Sequence, residues 1–443
     1  MKPRALAAAA LTLLAPFIAL GQAGSQGAEL ESRREILRYG IESEVLAAIK
    51  QIADSGRVVL EEELLELIRP ESSTALLQAV LELFGGQGIA DAEPHVLKLL
   101  AGEAQEDPRR LEPMIRYLAA VRSRAAERPL LELLDSENEQ VALAAIDALG
   151  SLGGTAAGPR LQAKLADPQC PEGLKSRLIL ALGKLKYAPA LEELLRIVEN
   201  PDENKIWRMY AAAALGDIAD PRALSALRAL FSDPDSLVRA YAASALARFD
   251  LSEVEGMLQE GLRDSNVKVR LAAAKALGNP EAIQSVDILI YKARRDPEGQ
   301  VRAQAIESLG AIGGAKALAF LRELYQDGAA GSQYREAALA ALCSKDLGGS
   351  LPAIRAVIDQ EWSQKNPQAL SFTARALAGI TSPDLEDIFE RFLGHPNVII
   401  RLYGLKGARL NKIHRLKPKV SAMAAEDAHP AVRKEAAIVL QDL

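Results

Sequence analysis

An internal repeat is the feature of this 443-residue sequence that most restricts its fold. The clearest copies, Trp207–Gly216, Val269–Gly278 and Val301–Gly310, follow the template V-R-x-x-A-x-x-A-L-G. Clear and weaker copies place their second residue at positions 142, 175, 208, 239, 270, 302, 335, 370, 401 and 433, which are 31 to 35 residues apart. A period of this length is typical of stacked helical hairpins.

A turn signal precedes the repeated segments, as at Asp233-Pro234, Asp264-Ser265 and Asp296-Pro297. Asp or Asn can cap a helix, and proline is tolerated in its first turn, so each break ends one helix and starts the next. A second apolar helix is predicted upstream of each break, as at 221–231 and 315–325. Helices of about three turns are marginal in isolation, so neighbouring hairpins must stack to bury their apolar stripes.

Residues 28–127 keep the same helical rhythm but lack the V-R pair. We predict that they form about three degenerate repeats that cap the array at 128–443. Because no Gly/Ser-rich linker separates the two parts, one continuous array is favoured over two domains.

The first 23 residues have the layout of a secretory signal peptide. Lys2 and Arg4 precede a 16-residue apolar run, Ala5–Leu20, and small and polar residues follow it. As a helix this run would rise only about 24 Å, less than the roughly 30 Å of a bilayer core. We therefore predict cleavage after Ala23 and a mature chain without a transmembrane segment, located in the periplasm or secreted.

The template predicts which face of its helix is buried. At about 100° per residue, its V, A, A and L positions fall within one stripe, and the arginine lies on the flank of that stripe. We expect the arginines to pair with turn carboxylates in a structural ladder, and an anion-binding stripe is the alternative. The arginines are Arg208, Arg239, Arg270, Arg302, Arg335, Arg401 and Arg433, and the carboxylates are Asp233, Asp264, Asp296 and Asp427.

Two further sets of residues on these helices are candidates for protein binding. The opposite flank carries aromatic residues on successive repeats, which either pack between helices or grip a partner: Tyr210 with Tyr241, and Phe372 with Tyr403. Positions predicted to point outward form a smooth, nearly uncharged wall: Met209, Ala213, Ala240, Ser244, Leu271, Ala303 and Ala340.

Charge is concentrated near the end of the sequence, where residues 391–425 contain eight Lys/Arg and no acid. This basic patch either meets an anionic partner or lipid head groups, or it is a solvated face. Its predicted members are Arg401, Lys406, Arg409, Lys412, Arg415, Lys417 and Lys419.

Little of the sequence points to catalysis. Two cysteines and four histidines leave few ligands for a metal site, and no G-x-S-x-G, Walker or H-E-x-x-H motif occurs. The net charge of -6 argues against nucleic-acid binding. We predict no catalytic, cofactor-binding or metal-binding residue, and we expect Cys343 to be buried and Cys170, in a turn, to be exposed.

The unit D-P-x-x-x-V-R-x-x-A-x-x-A-L-G resembles the HEAT repeat, in the variety shared with phycobilisome lyases. The resemblance covers 128–443 and implies an all-α fold, a right-handed α-solenoid of about 12–13 hairpins, in an exported bacterial HEAT-repeat protein. It also implies that the second helix of each hairpin lines a concave groove. HEAT-fold hydroxylases bind iron through His-Glu pairs, but no histidine here precedes a glutamate.

These observations favour a non-enzymatic scaffold or adaptor that acts outside the cytoplasm. Its expected partner is another exported or envelope protein held in the concave groove, with no cofactor and no nucleic acid. The alternative, from the resemblance alone, is a lyase-like or chromophore-handling factor.

Overall fold

A computed structural model describes residues 29–56, 58–102, 107–154 and 156–443, and the regular structure in these ranges is entirely helical. The predicted signal peptide, 1–23, lies outside the described residues. The α-helices are α1 (29–39), α2 (Glu42–Asp54), α3 (Glu61–Leu65), α4 (Thr74–Gln87), α5 (Glu93–Leu100), α6 (Pro108–Ala120), α7 (Glu127–Glu132), α8 (Glu139–Leu152), α9 (Gly158–Ala166), α10 (Glu172–Lys184), α11 (Leu191–Glu199), α12 (Lys205–Ile218), α13 (Leu224–Ala229), α14 (Ser236–Leu246), α15 (Leu251–Gly261), α16 (Val267–Ala276), α17 (Val286–Arg295), α18 (Gly299–Ile312), α19 (Gly314–Gln326), α20 (Ser332–Lys345), α21 (Leu347–Glu361), α22 (Gln368–Leu377), α23 (Glu386–Leu393), α24 (Val398–Leu410), α25 (Lys417–Glu426) and α26 (Pro430–Asp442).

The helices follow one another as hairpins. From α5 onward, each even-numbered helix packs against the odd-numbered helix before it. Within 42–218 and within 236–442, successive even-numbered helices also pack on one another, and more closely than the odd-numbered helices do. The all-α solenoid of helical hairpins predicted from the repeat is therefore confirmed.

Contacts divide the chain into two compact units, which meet in the sequence at Asp220 and Pro221. In the first unit, α2, α4, α6, α8, α10 and α12 form the even-numbered layer. In the second unit, α14 to α26 form the corresponding layer. The first three hairpins, α1–α6, lie within the range predicted to be a degenerate cap, but the division at 127/128 stays a prediction.

The template residues have distinct packing roles, which α16 and α18 illustrate. Val269, Ala273 and Leu277 are fully buried in the hairpin core. The terminal glycine instead faces the next even-numbered helix: a Cβ added to Gly310 would lie 2.6 Å from the Cβ of Ala341. Since Ala341 occupies the second alanine position of its own repeat, the A-L-G part of the template sets the spacing between neighbouring helices.

Polar side chains cap the start of many even-numbered helices. The side chains of Asp235, Asn266 and Asn397 each accept a hydrogen bond from a backbone N–H two residues later, at 2.8 Å. These bonds satisfy N–H groups that a helix start leaves unpaired. The sharp break between the two helices of a hairpin thus follows directly from the turn sequences.

Candidate protein-binding surface

The arginine of the template joins two successive turns, as Arg270 shows. Its Nε and Nη2 donate to the two carboxylate oxygens of Asp296 at 2.9 and 3.0 Å. Its Nη1 donates to the carbonyls of Asp264 and Ser265 in its own turn, both at 3.0 Å. The Asp296 carboxylate is fully buried and also pairs with Lys292 at 3.2 Å. The guanidinium group of Arg270 therefore links one hairpin to the next by hydrogen bonds to both turns.

Arg239 and Arg401 repeat this arrangement. Arg239 binds both carboxylate oxygens of Asp264 at 2.7 and 3.0 Å, and Arg401 donates to one oxygen of Asp427 at 2.9 Å. The hydrogen bond from Arg239 lowers the pKa of Asp264. Burial raises the pKa of Asp296 and Asp427, but their arginines, backbone N–H groups and nearby cations together lower it by more. Because protein carbonyls and carboxylates bind the guanidinium groups of Arg239 and Arg270, the geometry favours the structural ladder over an anion-binding stripe.

Arginines of the predicted ladder also have partners besides the predicted carboxylates. Arg302 donates to Tyr334 Oη at 3.1 Å, and Arg433 donates to the carbonyl of Asp427 at 2.5 Å. The Nε atoms of Arg208 and Arg335 donate to a carbonyl ten residues earlier, at Val198 (3.3 Å) and Tyr325 (2.8 Å). Pairing with an aspartate is thus one of several ways in which the arginine of the template bonds to a neighbouring turn or helix.

In one repeat, both the ladder arginine and the aspartate of the following turn are replaced by other residues. Leu370 takes the arginine slot on α22, and His395 takes the aspartate slot of the next turn. His395 Nδ1 accepts the N–H of Asn397 at 2.9 Å, so Nε2 carries the proton and donates to the carbonyl of Trp362 at 3.0 Å. Burial and the charge of Arg401 lower the pKa of His395.

The exposed face of the even-numbered helices differs from the predicted wall. Met209 and Ala240 are buried, so their assignment as outward residues was wrong. With the V position of the template set at 0° and about 100° added per residue, both residues lie at about 200° around the helix. The glycine that meets the next helix lies nearby, at about 180°. Ser244 and Ala340, at 240°, are exposed, and Ala213, Leu271 and Ala303 are half-buried. The open face, here called the even face, is centred near 240–280°.

The aromatic candidates do not form two exposed pairs. Phe372 is buried and packs edge-on against Tyr325, with ring centroids 6.4 Å apart. The exposed alternative is therefore wrong for Phe372, because the ring fills the space between its own hairpin and the preceding one. Tyr210, Tyr241 and Tyr403 are half-buried.

Two adjoining clefts open on the even face of the first unit. The larger, about 340 Å³, lies across α6, α8 and α10, with Ala119, Ala144 and Ala148 in its wall. The smaller, about 160 Å³, lies between α4 and α6, and Arg116 lines both. Ion pairs border the larger cleft: Arg116 with Glu112, and Arg177 with Asp147 at 3.5 Å. Small side chains thus form recesses beside balanced charges. No feature of the template predicts these clefts, since this part of the chain has the weakest repeats.

Neighbouring acids neutralise much of the predicted basic patch. Arg409 pairs with Asp442, Arg415 with Glu386 and Glu390, and Arg401 with Asp427. Lys419 donates to the carbonyl of Glu390 at 2.9 Å. Within the described residues, Lys406, Lys412 and Lys417 are exposed without a carboxylate partner. The sequence interval 391–425 lacks acids, but the fold supplies them from adjacent helices.

The histidines and cysteines have structural environments. His414 Nδ1 lies 2.7 Å from the carbonyl of Leu443, and His429 Nδ1 accepts the N–H of Ala431 at 3.2 Å. Cys170 is buried, contrary to expectation, because its turn folds back through a hydrogen bond from Cys170 N to Asp167 O. Cys343 is half-buried rather than buried, and burial raises its pKa to about 11. Among the described residues, no group of three or more His, Cys, Asp or Glu side chains could hold a metal ion.

Comparison with protein families identifies the repeat. Residues 37–439 match the family described as spirochaete HEAT repeat protein. The chain belongs to this family. Its fold is similar to that of yeast importin-beta (TM-score 0.53, 14% identity), over 95% of this chain and 67% of that protein. In the described residues, no helix combines the length and apolarity needed to cross a membrane.

Two other similarities are more limited. The phycocyanin lyase complex of Nostoc has a TM-score of 0.35 and 22% identity, over 52% of this chain and 92% of that chain. Deoxyhypusine hydroxylase of Bos taurus is 38% identical over 69 residues, which are 16% of this chain and 23% of the enzyme. The chain therefore aligns with less than a quarter of that enzyme.

Proposed function

We propose that this HEAT-repeat protein is a non-enzymatic scaffold that holds a segment of another protein in the clefts of the first unit. One observation carries the proposal: the adjoining clefts of about 340 and 160 Å³ interrupt a continuous layer of helices. Alanine and glycine residues in their walls leave room for the side chains of a helix or peptide laid across the layer.

The charges around the clefts support a protein partner. The pairs of Arg116 with Glu112 and of Arg177 with Asp147 are largely exposed, so they can exchange partners at low energetic cost. They offer both donors and acceptors at the rim, which suits a polypeptide with mixed side chains.

We further propose that the partner is an exported or envelope protein. The support is the signal-like order of Lys2, Arg4 and the apolar run Ala5–Leu20. Cell fractionation and N-terminal sequencing of the mature chain test this. The expected result is extracytoplasmic protein that begins at Gly24, and uncleaved protein in the cytoplasm would contradict it.

A blocked cleft tests the binding proposal. Ala144→Trp places an indole in the larger cleft, and Ala163→Trp places the same group on the exposed side of α9 as a control. Each tagged protein is captured from its own host, and bound material is identified by native mass spectrometry. We expect a stoichiometric protein partner with the wild-type and Ala163→Trp chains, and its loss with Ala144→Trp. A retained small molecule and no protein would instead favour a lyase-like factor.

A further inference from the structure

The last two even-numbered helices expose a cluster of apolar and cationic side chains. Leu402, Lys406 and Leu410 follow one another at four-residue spacing along α24, and Lys434 and Ile438 do so along α26. Lys406 and Lys434 are exposed, and Leu410 and Ile438 are exposed by 45% and 36%. These five residues are here called the α24–α26 surface.

The repeat places these residues side by side. Ile400 and Val432 occupy the same template position, so Lys406 is equivalent to Ile438, and Leu402 to Lys434. Because α24 packs along α26, each lysine has an apolar residue at the equivalent place on the neighbouring helix. The ion pair between Arg409 and Asp442 joins the ends of the two helices. The result is a small array in which apolar and cationic side chains alternate.

Packing of the repeat does not account for this array. Half of the equivalent positions on earlier helices of this unit carry small residues, such as Ser244, Ala303, Ala340 and Ser371, whereas Leu271 and Lys275 on α16 repeat the spacing of Leu402 and Lys406. A buried role would need far lower exposure than that of Leu410 or Ile438. Exposed apolar side chains grouped with charges are typical of interaction sites.

The charge of the surface is unbalanced. Lys406 and Lys434, together with the nearby Lys412, have no carboxylate partner among the described residues, whereas Asp442 is already paired with Arg409. Glu435 on α26 is half-buried and is the other acid at this place. An approaching carboxylate would therefore meet unpaired ammonium groups without displacing an existing pair.

We propose that the α24–α26 surface binds an acidic amphipathic helix of a partner protein. The groove between two parallel helices accepts a third helix, whose apolar residues at i and i+4 would contact Leu410 and Ile438. Glutamate or aspartate side chains on its flanks would pair with Lys406 and Lys434. This proposal gives the scaffold a second contact region with a defined partner chemistry, and it does not rest on the clefts of the first unit.

A synthetic peptide of about 18 residues tests the proposal, since shorter isolated helices are marginal. It carries leucines at i and i+4 flanked by glutamates, and a matched peptide has lysines instead. Binding to the full chain is measured by fluorescence anisotropy at two salt concentrations. We expect preference for the acidic peptide and weaker binding at the higher salt concentration.

Three double variants locate the site. Lys406→Glu with Lys434→Glu should weaken binding at least about ten-fold, and Leu410→Ser with Ile438→Ser should also weaken it. Arg295→Glu with Lys365→Glu changes the net charge equally at exposed positions elsewhere and should bind like the wild type. Equal binding by all variants, or no preference between the peptides, would overturn the proposal.

Two controls distinguish this surface from the clefts and from a lipid-binding site. Ala144→Trp should leave acidic-peptide binding unchanged, so failure of the cleft proposal and failure of this one are distinguishable. Phosphatidylglycerol vesicles are tested in parallel. Vesicle binding that depends on Lys406 and Lys434 without peptide binding would assign the surface to membranes and refute the protein partner.

Discussion

Two regions of the second unit close their turns differently. At α14–α18, Arg239 and Arg270 each bind the aspartate of the following turn. At α22–α24, Leu370 and His395 stand in the same two slots, and His395 bonds to Asn397 N and Trp362 O instead. Both aspartate and histidine accept the N–H two residues later, so both preserve the turn. The slot must therefore cap the turn, whereas the ion pair is one means of tying neighbouring hairpins together.

Removal of one ladder arginine should give the largest effect. Arg270→Ala leaves the buried carboxylate of Asp296 with Lys292 and the backbone N–H of Glu298, and we expect a loss of about 3 kcal/mol in the free energy of unfolding. Urea denaturation measures the loss, and hydrogen exchange should locate it at α16–α18. Arg294→Ala, which breaks an exposed pair with Glu323, is the control and should cost less than about 1 kcal/mol. Equal losses of unfolding free energy in the two variants would show that the buried ladder pair stabilises the chain no more than an exposed ion pair does.

The second largest effect on stability should come from a change in the spacing between even-numbered helices. Gly310→Ala sets a Cβ against Ala341 and should cost about 1 kcal/mol net, because crowding outweighs the gain in helix propensity. Gly256→Ala, with no atom within 4 Å of the added Cβ, should instead stabilise by up to about 1 kcal/mol. In the α22 repeat the same slot holds the buried Ala378, so Ala378→Gly should destabilise. Thermal denaturation distinguishes these signs, and a stabilising Gly310→Ala would break the packing argument.

A restored pair tests whether the two regions are interchangeable. Leu370→Arg and His395→Asp should each destabilise the chain, because Leu370→Arg places a charge beside a neutral imidazole and His395→Asp removes the hydrogen bond to the carbonyl of Trp362. The double variant should recover about 1 kcal/mol relative to the sum of the single changes. Additive losses in this double-mutant cycle would mean that the α22–α24 turn has diverged too far to accept the ladder.

The two regions should also lose stability at different pH. The pKa of His395 is lowered in the folded chain, so the unfolded chain binds more protons as pH falls through the ordinary value of 6.5. Protection of α23 and α24 should therefore decline from about pH 7 downward. The pKa values of Asp264 and Asp296 lie below the ordinary 3.8, so the ladder keeps its stability until about pH 4 and loses it below.

Hydrogen exchange, corrected for its intrinsic pH dependence, follows each region separately. His395→Asn keeps a side-chain oxygen for the N–H of Asn397 but does not titrate. This variant should lose the decline between about pH 7 and 5.5 and retain the decline below about pH 4. A decline near neutral pH that persists in the variant would assign it to another group.

The sequence predicted the repeating parts of the structure well. Ten copies of the template, with turn signals before them, suffice to predict helical hairpins and to place Arg239, Arg270 and Arg401 near Asp264, Asp296 and Asp427. An alignment of the repeats also shows Leu370 and His395 in the two ladder slots, but the template does not predict what the replaced pair does. Met209, Ala240 and Cys170 were assigned too much exposure, since helical angles alone do not reveal what a neighbouring helix or turn covers.

What the sequence determined by itself is local and periodic: helix starts, the buried stripe and the register in which one repeat meets the next. These follow from backbone capping and from a side-chain period of 3.6 residues, which are properties of short segments. The tertiary structure decided which charges remain unpaired and which faces remain open. Arg409 and Arg415 look free in a segment without acids, yet Asp442, Glu386 and Glu390 neutralise them from adjacent helices. The clefts beside α8 and the α24–α26 surface arise in the same way, because exposure depends on side chains that are distant in sequence and close in space.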